Sequence, residues 1–410
     1  MVYMYIKRLL ESSIKEATKT FPSILITGPR QSGKTTLVRK YFGKNYNYVS
    51  LDELDIRSFA IDDPKEFLNR YPSPIIIDEI QNAPQLLSYI KARIDENRKP
   101  GQWILTGSQQ FPLMKNISES LAGRIAVLTL YPFSLNETNR NLMLELSDAS
   151  LFINYLKKNR TKIKKAPSAG IWLLNGGYPE IHNNKNISKK LWFSSYIQTY
   201  LDRDVRGNIK TSNLNDFERF IRLLASLTGQ ELNLSIISRK IGVSVPTIKT
   251  WISFLEASSI IYLLYPYHKN FGKRIIKSPK CYFIDTGLAS YLAGLQNEDH
   301  LIQGPIAGAL FETGCIMELV KRFTSLLDPC SLYFWRSVDG YEIDLLIETA
   351  KNIFPIEIKL TSTLSAQHTS SLKTWLSLPN NTAKEGLIIS SYNISGQIAK
   401  NISNCHFSLL

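Results

Sequence analysis

The sequence predicts an α/β chain whose first third is a parallel sheet built around a phosphate-binding loop. Three observations carry that prediction. The stretch Gly28-Pro29-Arg30-Gln31-Ser32-Gly33-Lys34-Thr35 is a complete G-x-x-x-x-G-K-[ST] loop. A β-type run, Ile24–Thr27, leads into it, and a helical pattern, Thr36-Leu37-Val38-Arg39-Lys40, leads out. From Ser23 to about Glu137, the β-type runs Ile24–Thr27, Tyr46–Leu51, Ile75–Asp78, Trp103–Thr106 and Ile125–Leu130 alternate with helical stretches, which is how a parallel sheet with crossover helices reads.

The loop dictates a chemistry. Its glycines let the backbone wrap so that successive N–H groups face phosphate oxygens. Gly28, Pro29, Arg30, Gln31, Ser32, Gly33, Lys34, Thr35 and Thr36 are therefore the candidate nucleotide-binding residues. Lys34 would reach the β- and γ-phosphates, and the Thr35 hydroxyl would ligate Mg²⁺. One crossover later, Pro74-Ile75-Ile76-Ile77-Asp78-Glu79 is an apolar strand ending in two acids. At the C-terminal edge of a parallel sheet those carboxylates face the loop. Asp78 is the expected holder of Mg²⁺ through water, and Glu79 the expected base for the water that attacks phosphorus. At the tip of the next β-run, Gly107-Ser108-Gln109, Ser108 is the candidate for positioning that water, with Thr106 as the alternative. Arg124, in Leu121-Ala122-Gly123-Arg124, is the candidate cation for the developing charge, in its own subunit or on a neighbour's nucleotide.

Length and composition bound the rest. With 410 residues the chain exceeds one hydrophobic core. Hydrophobic residues make up 44% and charged residues 20%, as in an ordinary globular protein, and no apolar run is long enough to cross a bilayer. The N-terminus, Met1 to Arg8, has no signal-peptide layout. Cys281, Cys315, Cys330 and Cys405 are scattered, without zinc spacing, and read as reduced thiols of a cytoplasmic protein. A net charge of +14 tilts the choice of partner toward polyanions. The excess is concentrated in Lys157, Lys158, Arg160, Lys162, Lys164 and Lys165. It is concentrated again in Lys269, Lys273, Arg274, Lys277 and Lys280, where Tyr265, Tyr267 and Phe271 are interleaved.

Residues 138 to about 205 read as helical and polar, broken at Gly176-Gly177-Tyr178-Pro179. Residues 232–264 read as a helix-turn-helix with a wing. Ile236, Ile237 and Ile241 would face inward, Gly242 would make the turn, and Ser244 would cap a second helix that tolerates Pro246. Ile248, Ile252 and Leu255 would face the core, while Thr247, Lys249 and Thr250 stand outward, residue types suited to phosphates and base edges. Ile260, Ile261, Leu263 and Leu264 would start the wing.

From about Pro305 the sequence reads as a helix, three β-runs, a helix and a last strand, Gly386–Ser390. Asp339-Gly340 signals a hairpin. Period-two alternation places Glu342 with Asp344 and Glu357 with Lys359. If the strands pair, Asp344, Glu357 and Lys359 converge and Glu312 approaches from the helix. Such a set of carboxylates plus a lysine is what Mg²⁺-dependent phosphodiester hydrolysis requires. His368 is a candidate assistant. Asp344 with Glu357-x-Lys359 resembles the D…E-x-K signature of the restriction-endonuclease-like fold.

The motifs taken together resemble a family of bacterial and archaeal AAA-type ATPases that carry a C-terminal domain of unknown function. They comprise the 28–35 loop, Ile77-Asp78-Glu79-Ile80-Gln81, Leu105-Thr106-Gly107-Ser108, Leu121-Ala122-Gly123-Arg124 and Pro132-Phe133-Ser134. Further along they comprise Gly176-Gly177-Tyr178-Pro179, Tyr200-Leu201-Asp202-Arg203-Asp204, Phe283-Ile284-Asp285-Thr286-Gly287-Leu288, Trp335-Arg336 and Glu342-Ile343-Asp344. The resemblance implies an AAA+ type core (1–137), a helical lid (138–211), a winged helix-turn-helix (212–285) and a restriction-endonuclease-like α/β domain (286–410). The function expected is a Mg²⁺-dependent ATPase that couples ATP binding or hydrolysis to DNA engagement, with subunit assembly into a homo-oligomer in view. Two alternatives stand beside it: an ATP-switched protein-binding or signalling protein with a non-catalytic nuclease-like domain, and an ATP-regulated DNA nuclease.

Overall fold

The computed structural model describes residues 5–108, 120–139, 148–158, 167–184, 186–208, 214–268, 278–379 and 381–410. Gln109, most of the 157–165 basic segment, Phe271 and the basic residues of 269–277 lie outside the described residues. The chain divides into two compact units, residues 1–133 with 257–260, and residues 134–256 with 261–410.

In the first unit, β1 (Ser23–Thr27), β2 (Asn47–Ser50), β3 (Ile75–Asp78), β4 (Trp103–Thr106) and β5 (Ile125–Thr129) form a five-stranded sheet in the order β2-β3-β4-β1-β5. Every pairing is parallel. These are the five runs expected from the sequence. Alternation along the strands builds the core on both faces. Ile24, Ile26, Ile76 and Ile104 pack with Leu10, with Ile14 of helix Glu11–Thr20 that follows it, and with Leu37 and Val38 of helix Lys34–Phe42. Leu25, Ile75, Ile77 and Leu105 face the opposite way, onto Leu86, Leu87, Ile90 and Ile94 of helix Leu86–Glu96. The central strands β1, β3 and β4 are buried along their length, so their polar residues lie at the strand tips, and the C-terminal tips carry the site.

The second unit begins earlier than the boundary expected at residue 137. Ser134 and Glu137 close a capping box on helix Leu135–Thr138, the Leu135 N–H donates to Glu318 at 2.7 Å, and the Asn136 amide donates to the Leu410 carbonyl. Helices Ala149–Lys158, Ala169–Asn175, Pro179–Asn183 and Lys189–Tyr200 follow, the last running into a wider π-helical turn at Leu201–Val205. Helices Leu234–Ile241 and Val245–Ala257 meet at Gly242, whose φ of +87° ends the first of them. The Ser244 hydroxyl accepts from the Thr247 N–H at 3.2 Å, as expected of a cap. Ile237, Ile241, Ile248, Ile252 and Leu255 are buried, with Trp251 beside them. Ile236 is 41% exposed instead of facing inward, because the Ile237–Ile241 stripe turns it away from the core. Strand β7 (Ile261–Leu264) pairs antiparallel with β8 (Lys280–Phe283), which also pairs with the two-residue β6 (Gln230–Glu231).

The C-terminal sheet is mixed. Strands β9 (Ser331–Arg336), β10 (Glu342–Glu348), β11 (Ile353–Lys359), β12 (Gly386–Ser390), β13 (Gly396–Ala399) and β14 (Ile402–His406) lie in the order β13-β14-β12-β11-β10-β9. The β9–β10 hairpin turns at Gly340 with φ +87°, and β11, β12 and β14 run parallel. Helix Ala307–Ser325 is buried nearly all round, so it forms a core element of this unit. Strands β13 and β14 were not expected from the sequence. The first is a half-exposed edge, and the second mixes Ser403, Asn404 and His406 among its apolar residues.

Candidate nucleotide site and the carboxylate cluster

The phosphate loop needs glycine for packing as well as for turning. Gly28 has φ +135°, and a Cβ there would sit 2.2 Å from the Leu130 carbonyl oxygen. Gln31 and Gly33 take φ of +60° and +92°, and helix Lys34–Phe42 starts directly after. Pro29, Ser32 and Lys34 are buried, Arg30, Gly33 and Thr35 half-buried, and Gln31 and Thr36 exposed. The Lys34 ammonium folds back into the loop and donates to the Gly28 and Pro29 carbonyls at 3.1 and 2.9 Å. The Ser32 hydroxyl oxygen is buried without a hydrogen-bond partner, so the loop has polar capacity to spare for a ligand.

The acid pair lies where the sequence placed it. The Thr35 hydroxyl donates to Asp78 Oδ2 at 2.8 Å, Tyr48 donates to the same oxygen at 2.8 Å, and Thr106 donates to Oδ1. Burial and the neighbouring Asp78 carboxylate hold the Tyr48 phenol well above its usual range. Thr35 and Asp78 present hard oxygens side by side, the donor type that Mg²⁺ takes. Glu79 has φ +58°, its N–H donates to the Thr106 hydroxyl at 3.1 Å, and its Oε2 accepts from Ser108 at 3.2 Å and from Gln81. Ser108 and Thr106, alternatives from the sequence, thus share the work: Thr106 ties Asp78 to the Glu79 backbone, and Ser108 holds the Glu79 carboxylate. Tyr48 and Gln81 were missed as partners of the acid pair. No spacing rule marks a tyrosine one strand away, but Gln81 sits two residues past Glu79 and could have been found.

Arg124, left open by the sequence between its own subunit's nucleotide and a neighbour's, lies away from the phosphate loop of its own chain. It immediately precedes β5, beside Ser23 at the start of β1, and its carbonyl accepts from the Ser23 N–H at 3.2 Å. The phosphate loop leaves the opposite end of β1, about 17 Å away along five strand residues. Its guanidinium forks onto Asp95 at 2.7 and 3.1 Å, and this bond lowers the Asp95 pKa.

In the second unit, Asp344, Glu357 and Lys359 converge. The Asp344 Oδ2 accepts from the Ile358 N–H at 2.7 Å, and Lys359 Nζ lies 3.3 Å from Asp344 and 2.6 Å from Glu357. Burial, then the Asp344 carboxylate, push the Glu357 pKa well up, and its Oε1 has no partner. Glu312 turns to Lys280 at 3.0 Å and Tyr282 at 2.6 Å, and burial raises its pKa to about 7. Lys280, counted by sequence in a polyanion-facing basic segment, is instead buried and salt-bridged to Glu312 and Glu342. Among the described residues, no group of three or more His, Cys, Asp or Glu side chains is placed to hold a metal ion. His368 is spent locally, its Nδ1 accepting from the Ser365 N–H at 3.0 Å.

Two of the remaining motifs lock each other. The fully buried Asp285 carboxylate accepts from the Gly177 N–H at 2.6 Å and from the Leu288 N–H at 2.8 Å, the second bond capping helix Thr286–Leu292. A Cβ at Gly176 would lie 2.2 Å from that carboxylate. These residues are architectural.

Residues 20–139 match the AAA domain family. Residues 171–299 match a domain of unknown function (DUF8612), and residues 307–406 another (DUF4143). The chain is 29% identical over 360 residues to an uncharacterised protein of Mycobacterium tuberculosis, covering 88% of this chain and 75% of that one. It is 23% identical over 359 residues to an uncharacterised protein of Haemophilus influenzae, covering 82% and 81%. Among solved structures, a Walker-type ATPase of Pyrococcus abyssi aligns over 70% of this chain and 96% of its own, at 15% identity and a TM-score of 0.44. At the family level the AAA domain is that of an ATP-hydrolysing P-loop protein. Among the described residues no helix is long and apolar enough to cross a membrane.

Proposed function

For a chain whose residues 20–139 are an AAA domain and whose residues 307–406 are a domain of unknown function, we propose a Mg²⁺-dependent ATPase that couples ATP binding or hydrolysis to engagement of DNA. The observation that carries the ATPase reading is the 2.8 Å bond between Thr35 and Asp78, which joins the phosphate loop to the acidic strand tip with Glu79 adjacent. Loop amides and Lys34 bind the triphosphate. Thr35 and Asp78 would hold Mg²⁺, which neutralises phosphate charge when bound. Glu79 takes the proton of the attacking water at its carboxylate, and Ser108 and Gln81 orient that carboxylate. Arg124 acts, in this reading, on a neighbouring subunit's nucleotide, after release from Asp95. Lys34→Ala and Glu79→Gln should each abolish turnover in a phosphate-release assay, and wild-type rates in either variant would defeat the assignment.

Support for DNA comes from the exposed Lys249 and Thr250 on helix Val245–Ala257, the adjacent exposed Arg239 and Lys240, and the net charge of +14. In this reading the two helices and the β7–β8 strands are a winged helix, and the four-part division drawn from the sequence is its domain plan. Binding to duplex, branched and single-stranded DNA should weaken steeply with salt, and Lys249→Glu should weaken it uniformly. No binding at low salt would instead favour the ATP-switched protein-binding reading.

One observation favours a scaffold over a nuclease for the restriction-endonuclease-like C-terminal fold. The Lys359 ammonium occupies the position between Asp344 and Glu357, and Glu312 is committed to Lys280. DNA incubated with Mg²⁺ or Mn²⁺ should stay intact. Cleavage by wild type that is lost in Asp344→Ala would establish the nuclease.

A further inference from the structure

We propose that Arg8 is the positioning residue of the nucleotide loop, pinning the Ser32 carbonyl so that the Gly33 N–H is turned to the phosphate side. The inference rests on the ATPase reading and deepens it.

Arg8 lies in the segment that precedes helix Glu11–Thr20, twenty residues before the loop begins, where no motif marks it. Its side chain is buried, with 5% exposure. One arm of the guanidinium donates to the Ser32 carbonyl at 3.0 Å. The other donates to the Tyr131 carbonyl at 2.6 Å, and the plane lies 4.6 Å from the centroid of the Phe133 ring. The Arg8 backbone is itself fixed, its N–H donating to Glu11 at 2.8 Å, an oxygen that Tyr5 also bonds at 2.7 Å. A planar fork with two fixed acceptors and a ring beneath it has little freedom left.

The consequence follows from peptide geometry. In a planar trans peptide the carbonyl of one residue and the N–H of the next point in opposite directions. Fixing the Ser32 carbonyl toward Arg8 therefore fixes the Gly33 N–H away from Arg8. Gly33, at φ +92°, is the hinge between the loop and helix Lys34–Phe42, and as a glycine it has the most freedom to let that peptide rotate. The segment 130–133 supplies the rest of the backing, because Gly28 packs against the Leu130 carbonyl while Arg8 binds that of Tyr131. Arg8 touches no reacting atom. It acts through one amide of the anion-binding set, at a site closed to water that might replace it. Lysine is a poorer substitute: its ammonium can donate to two carbonyls, as that of Lys34 does, but as a compact point charge it lacks the planar fork that meets Ser32, Tyr131 and the Phe133 ring together.

The test uses the full chain as wild type, Arg8→Lys and Arg8→Met. Affinity is read by titration with a fluorescent ATP analogue, turnover by phosphate release, and folding by urea midpoint. Arg8→Met should weaken nucleotide binding at least tenfold and raise KM in parallel, while kcat at saturating ATP changes less than threefold, because Lys34, Thr35, Asp78 and Glu79 are intact. Arg8→Lys should fall between the two. If Arg8→Met does not fold, Arg8→Lys decides. Wild-type binding with unshifted affinity in the folded Arg8 variant, or a loss confined to kcat, overturns the inference alone. A wild-type chain that takes up no nucleotide overturns the ATPase reading and this inference with it.

Discussion

Replacing Gly28 with alanine is the sharpest test of how the loop is built. The added Cβ would meet the Leu130 carbonyl oxygen at 2.2 Å and its carbon at 3.0 Å. Neither atom is the end of a flexible side chain. Leu130 is held to β1 by its own N–H, which donates to the Thr27 carbonyl at 2.8 Å. Relief requires the two backbones to part by roughly 1 Å. A non-glycine residue at φ +135° adds conformational strain of about 1–3 kcal/mol, and overpacking adds about 1–3 kcal/mol more. The variant should therefore lose about 2–6 kcal/mol, a large share of a typical domain's stability of about 5–15 kcal/mol. Where it still folds, a loop displaced by roughly 1 Å should lower kcat/KM about a hundredfold. Urea unfolding followed by circular dichroism gives the first quantity, and steady-state ATPase assays give the second. Gly43→Ala is the control, since its φ is +58° but nothing lies within 4 Å of the added carbon. It should cost about 1–3 kcal/mol of strain and leave kcat/KM unchanged. If Gly28→Ala matches wild type in both measurements, the argument from close backbone approach is wrong.

Four further outcomes are expected. Asp285→Ala strands the Gly177 and Leu288 N–H groups in a buried site and should cost about 2–4 kcal/mol in urea titration, more than Asp285→Asn, which keeps one acceptor. His406 is buried and accepts the Ser408 N–H on Nδ1, and burial lowers its pKa from 6.5 to about 4. The unfolded chain therefore takes up this proton near pH 6.5 while the folded one resists until about pH 4. The stability contribution is whole above pH 6.5 and declines as pH falls through that window, and His406→Asn should flatten this part of the stability profile. Lys359→Met leaves Asp344 and Glu357 facing each other and should cost about 1–3 kcal/mol, less than a fully buried pair because Lys359 is 35% exposed. Glu357→Gln, which replaces a carboxyl already biased toward its neutral form, should stay within about 1 kcal/mol of wild type by the same measurement.

The nucleotide unit was legible because its signals are local. A glycine loop between a β-run and a helix, and an apolar run ending in Asp78-Glu79, state their own geometry, and the five strands fell where alternation put them. Contacts between distant segments were not legible. Arg8 reaching Ser32, and Tyr48 reaching Asp78, depend on which strands and helices end up adjacent, and no periodicity encodes that. The place of Arg124 was hidden for a related reason: its motif lies in sequence next to the sheet, and only the strand direction puts it at the edge away from the loop. In the C-terminal sheet the D…E-x-K spacing located Asp344, Glu357 and Lys359 correctly as neighbours. It could not show that Lys280 and Tyr282, from β8, would claim Glu312. Strands β13 and β14 escaped because a short exposed edge and a polar-rich strand give no clean alternation.

The bond from Asp285 to the Gly177 amide spans 108 residues, and it has a bearing on how this polypeptide can be cut or synthesised. A ribosome will have released Gly176 and Gly177 long before the aspartate that completes them emerges. The earlier stretch must therefore wait, with its amide satisfied by solvent, until the later one arrives. A cut between residues 177 and 285 should leave the second unit incomplete, with the Gly177 amide and the Asp285 carboxylate regaining their bond only when the two pieces are mixed.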